Sequence, residues 1–110
     1  MTENRTFKET LIEGLKDPEE AEAYLEVALE EYEQDKNTEA FLMALRHVAE
    51  AQGGVTKLAE RTQLNREHLY RALSGKGNPR LETLDTILHG LGFRLAIRPL
   101  EPRGVSKTLF

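Results

Sequence analysis

Two short runs of helical period stand back to back in VTKLAERTQLNREHLYRALSG, residues 55–75, with almost nothing between them. Leu58 and Ala59 lie on the inner side of the first run, and Ala59 is small where a second helix has to cross close by. Leu64 anchors the turn, while Leu69, Ala72 and Leu73 supply the inner face of the second run. Thr56 is the expected cap of the first helix and Asn65 of the second. Facing outward are Asn65, Arg66, Glu67, Tyr70, Arg71 and Ser74. The major groove admits one helix, and Arg and Asn bond guanine and adenine edges in bidentate fashion, so this outward set is suited to reading DNA.

Net charge taken alone opposes that reading, because the 110 residues carry a formal net charge of −4 and phosphate affinity needs a basic face. The charge is divided, however. Residues 1 to 52 carry 5 Lys and Arg against 14 Asp and Glu, whereas residues 53 to 110 carry 10 against 5. The helical pair lies in the basic part. With 39% hydrophobic and 31% charged residues the chain is expected to form one small domain with polar extensions, and with Cys 0 it holds no disulfide or thiolate site. The start MTENRTFKETL has no apolar signal region and no run approaches a membrane span, so a cytoplasmic protein without membrane contact is expected.

In the acidic part, KDPEEAEAYLEVALEEYEQD follows a polar start and opens with Asp17 as N-cap, Pro18 in the first turn and Glu20 three past the cap. Ala21, Tyr24, Leu25, Ala28, Leu29 and Tyr32 make one apolar stripe, with Glu22, Glu26, Glu30 and Glu33 facing away. Asn37 or Thr38 caps the next helix, whose Phe41, Leu42, Leu45, Val48 and Ala49 are core candidates, and Gly53 and Gly54 end it. Beyond the pair, SGKGNP lacks the full phosphate-loop pattern and reads as a tight turn, with Lys76 and Arg80 available to backbone phosphates. The helix after it places Leu81, Leu84, Ile87, Leu88 and Leu91 on one side and ends at Gly92.

His47, His68 and His89 fall on three different helices, and no nucleophile, base and orienting group are assembled. Neither an enzyme, a cofactor, a metal nor a small-molecule substrate is expected. In FRLAIRPL the period changes: Phe93, Leu95 and Ile97 alternate with Arg94, Ala96 and Arg98 before Pro99. This reads as a short C-terminal β-strand that needs a partner for its backbone, and symmetric pairing in a homodimer would bury Phe93, Leu95 and Ile97 against the helices. The expected layout is residues 1–36 as polar start and acidic helix, 37–92 as the DNA-binding domain, and 93–110 as dimerisation strand and basic tail.

The stretch LAERTQLNREHLYRALSGKGNPRLETLDTILHGLGFRL resembles the helix-turn-helix of the lambda-repressor-like group, and is most similar to the addiction-module antidote proteins, the HigA-like antitoxins. The resemblance covers roughly residues 20 to 98 and is most specific in LYRALSGKGNPRLETL. It implies an all-α fold of five helices in which residues 55–62 and 65–74 are the motif helices, the second being the recognition helix. In relatives the turn residue four after Ala59 is usually Gly in the left-handed conformation; here it is Gln63, at a cost of about 1 kcal/mol. Arg80 stands where relatives often carry a capping Ser or Thr.

On this resemblance the chain is a dimeric regulator that binds a double-stranded DNA operator at Thr56, Asn65, Arg66, Glu67, Tyr70, Arg71, Ser74, Lys76 and Arg80. It also implies an antitoxin that represses its own operon and blocks a RelE/HigB-type toxin. Toxins acting on RNA need basic surfaces, so the expected contact is the acidic helix, through Glu22, Glu26 and Glu30 with Leu25 and Leu29 as apolar anchors where the core leaves them free. Two alternatives compete with it: a prophage-type repressor without a toxin, and an interaction module that has kept the fold but lost DNA binding.

Overall fold

A computed structural model describes residues 6–100. Among the described residues the chain forms six helices: α1 (Phe7–Gly14), α2 (Pro18–Asp35), α3 (Thr38–Ala51), α4 (Val55–Thr62), α5 (Arg66–Ala72) and α6 (Leu81–Gly90). The all-helical expectation holds, with one helix more than expected. α1 occupies what was read as a polar start, and Thr6 and Glu9 form a capping box that fixes its beginning. Its end delivers Leu15 into the core at 3% exposure.

The remaining boundaries follow local chemistry. Asp17 caps α2 by accepting from the Glu19 N–H at 3.0 Å, and Pro18 sits at its first position. Asn37 caps α3 through the Ala40 N–H at 3.1 Å. Gly53 and Gly54 take φ of 110° and 96°, a left-handed pair that breaks the chain sharply between α3 and α4.

α3 is the axis of the molecule. Phe41, Leu42, Leu45, Val48 and Ala49 are all buried as their period requires, and with Leu58, Leu69, Leu73, Ile87 and Leu88 they form one continuous core. α2 packs along α3 through Ala21 and Leu25, so the acidic helix joins the same core. On its stripe Leu29 lies about 80° around the axis from Ala21, at about 100° per residue, and is 43% exposed. Leu81 was expected in the core and is 71% exposed, because it opens α6 a turn before the first residue packed on the core, Leu84.

The C-terminal strand needs correction. No strand occurs among the described residues, since one copy of residues 93–98 offers no second strand to bond with. Only Phe93 packs on the core, its N–H donating to the Leu88 carbonyl at 2.8 Å. Leu95 is 38% and Ile97 96% exposed, so in the single chain neither is buried as expected. Arg98 reaches back to Glu26 on α2 at 3.1 Å.

Candidate nucleic-acid interface

α4 and α5 are separated by Gln63, Leu64 and Asn65 alone. Gln63 adopts φ 65° and ψ 14°, the left-handed turn that the resemblance implied at this position. Asn65 caps α5 as expected, its Oδ1 accepting from the His68 N–H at 2.9 Å. That bond uses one lone pair of the oxygen and leaves the amide NH₂ to donate to another group. Thr56 does not cap α4: the helix begins two residues earlier than that cap requires, at Val55, with Gly54 in the cap position and no side-chain cap bond. Thr56 is exposed within the first turn.

α5 is two-sided. Leu69, Ala72 and Leu73 are buried, while Arg66, Glu67, Tyr70 and Arg71 are exposed, Tyr70 at 54%. Ser74 is half-buried and its hydroxyl donates to the Arg71 carbonyl at 3.0 Å, so it finishes the helix rather than presenting a free group. The following turn folds back tightly. A Cβ on Gly77 would stand 2.5 Å from the Ala72 carbonyl oxygen, so only glycine fits there. This brings Lys76 and Arg80, both exposed, alongside the end of α5. Arg71 and Arg80, with Asn78 and Thr83, line a groove between α5 and α6. Arg80 leaves α6 without a side-chain cap, as its residue type foretells.

Two arginines that the sequence reading passed over hold this surface in place. From α3, Arg46 donates to the Leu73 carbonyl at the end of α5. From α4, Arg61 donates to the carbonyls of Gln52 and Gly90, each at 3.0 Å, and to the Gln52 amide oxygen at 2.9 Å. Gln52 in turn donates to the Leu91 carbonyl at 2.8 Å. A guanidinium thus satisfies carbonyls at the ends of α3 and α6, where helix dipoles favour positive charge. Cationic residues near helix ends are the only sequence trace of such ties, and which helix they serve depends on tertiary contacts.

The chain matches, over residues 6–99, the family described as "Probable addiction module antidote protein". It belongs to that family. A Haemophilus influenzae protein described as uncharacterized is 34% identical over 86 residues, covering 78% of this chain and 84% of that protein. No solved structure matches. Membership gives the antidote a toxin partner of some kind, and directs attention to its second face.

On α2 of the antidote, Glu22, Glu26 and Glu30 are exposed, and Leu29 with them. Leu25 is 6% exposed and consumed by the core, so it is withdrawn as an anchor. Val27, which the stripe analysis omitted, stands 50% exposed among the glutamates. Where α2 meets α3, the Tyr24 hydroxyl lies 2.8 Å from Nδ1 of His47. Burial pushes the Tyr24 hydroxyl up, with Glu31 adding to it. Burial likewise pulls His47 below its usual range, against the pull of nearby Glu50. Among the described residues no three His, Cys, Asp or Glu gather as metal ligands, and no helix is long and apolar enough to cross a membrane.

Proposed function

We propose that the antidote is a cytoplasmic, operator-binding antitoxin of the lambda-repressor-like helix-turn-helix type, which represses its own operon as a dimer and neutralises a RelE/HigB-type toxin. The observation that carries the DNA reading is α5: a helix buried on one side, set by a left-handed turn, and presenting Arg66, Glu67, Tyr70 and Arg71 outward. With α5 in the major groove, Arg66 in its first turn reaches base edges and Arg71 a base or a phosphate. Lys76 and Arg80 flank the helix at the height of the backbone phosphates. Thr56 offers its hydroxyl, together with the uncapped N–H groups at the start of α4, to a further phosphate.

The toxin is met by the other surface. Glu22, Glu26 and Glu30 stand in for the phosphates of an RNA substrate and raise the rate of encounter with a basic protein, while Leu29 and Val27 hold the complex by burial. Titration onto the DNA upstream of its own gene tests the first half. Sequence-preferring binding whose affinity falls steeply with salt is expected, and its absence at low salt refutes the operator role.

A further inference from the structure

Residues 94–100 leave two needs unmet. Among the described residues their backbone groups enter no backbone hydrogen bond, and they carry Leu95, Ile97 and Leu100, all exposed, with Ile97 at 96%. Beside them Leu81 is 71% exposed and lines a shallow groove with Leu95, whose rim holds Arg80, Glu82 and Asp85. Phe93 is seated on the core, so the apolar side of the arm starts on the molecule and ends beyond it at Ile97.

We propose that this surface takes a second copy of the chain, the two arms pairing antiparallel about a two-fold axis at Leu95, with Leu81 of each copy covered by the other. The proposal deepens the dimer required by the operator reading, and it names the axis and a helix residue that the alternation in the arm does not contain.

The register follows from charge and alternation. With the axis at Leu95, Leu95 faces its own copy, Phe93 faces Ile97 and Arg94 faces Ala96. The overhanging Ile97 then lands on the core-seated Phe93 of the partner subunit, and Arg98 falls opposite Gly92. Moving the axis to Ala96 sets Arg94 directly against Arg98, and like charges in directly opposite positions destabilise a strand pair. Glu82 and Asp85 on the groove rim oppose the charge of an incoming Arg94 or Arg98. Arg98 bonds Glu26 of its own chain, which ties the far end of the arm to α2 before any partner arrives.

The chain has no cysteine, so introduced thiols report directly on this axis. Residues facing themselves across a two-fold have Cα atoms about 4.5–5.5 Å apart, within reach of a disulfide. Positions one residue off the axis are about 7–8 Å from their copies and fall outside it. Under mild oxidation of the full-length protein without DNA, Leu95→Cys should cross-link to dimer and Ala96→Cys should not. Leu81→Asp, at an exposed position, should keep its helical circular dichroism and raise the dimer dissociation constant at least about tenfold in sedimentation. Preferential cross-linking at Ala96, cross-linking at neither position, or a folded Leu81→Asp that dimerises as tightly as the parent overturns the proposal. Because no DNA or toxin is present, a cross-linked dimer that fails to bind any operator would defeat the operator reading alone.

Discussion

Replacing Gln63 by Gly should stabilise the antidote. With φ 65° and ψ 14° the residue sits in the left-handed region, which costs an L-residue with a side chain about 1–2 kcal/mol. Glycine removes that cost but releases more freedom to the unfolded chain, which returns about 0.5–1 kcal/mol. The amide of Gln63 reaches only the Glu60 carbonyl, at 3.4 Å and exposed, and its loss weighs little. At the middle of both ranges the balance is a gain of about 0.75 kcal/mol, or about 3–6 °C in Tm for a domain of this size. Asn, which tolerates this conformation, should fall between Gly and Gln, and Val should fall below Gln because a β-branched side chain is poorly accommodated there. Urea titration and thermal circular dichroism of the four proteins give the order. If Gln63→Gly is neutral or destabilised, or if Val matches Gln, the turn is not strained as its dihedrals imply.

Other consequences can be measured separately. Arg66→Ala should cost about 1–3 kcal/mol of operator affinity and relax discrimination at one base pair; Arg71→Ala, if it meets a phosphate, should weaken binding to all sequences and lower the salt slope. Unchanged affinity in both variants at low salt would remove α5 as the recognition helix. Reversing Glu26 and Glu30 to Lys should slow association with the cognate toxin and flatten its salt dependence in stopped-flow measurements. Because burial lowers the folded pKa of His47, the unfolded chain binds the extra proton first. Stability should therefore be full above the ordinary value of 6.5 and decline as pH falls from there through the folded pKa. Urea midpoints at pH 8 and pH 5 should show a smaller drop in His47→Gln than in the parent; an equal drop would assign the acid sensitivity elsewhere.

Much of the fold was legible because its signals are local. Asp17, Asn37 and Asn65 cap the helices they were expected to cap, and the period of α3 identified buried residues without error. The left-handed turn at Gln63 came only with the resemblance to helix-turn-helix proteins, since glutamine itself carries no signal for it. What escaped is set at a distance. α1 has its own local signal, the Thr6 and Glu9 capping box, but its apolar residues Phe7, Leu11, Ile12 and Leu15 span barely two turns, too short a run to show against the polar start. Leu25 and Leu29 share one stripe in sequence, yet their different angles to α3 bury one and expose the other. Arg46 and Arg61 read as ordinary surface cations until the chain has folded around the carbonyls they bind. The strand signal at 93–98 describes a segment whose hydrogen bonds need another chain, which a single copy does not supply.

α4 is fastened unevenly. Leu58 is its one buried residue, and Arg61 ties its far end to α3 and α6, whereas its first turn hangs from Gly53 and Gly54 with no side chain closing it. Val55, packed against the core, is the one hold its first turn keeps on the body by a side chain. On the proposed operator reading, the uncapped first turn of α4 meets the duplex through a fastening separate from the one that sets α5.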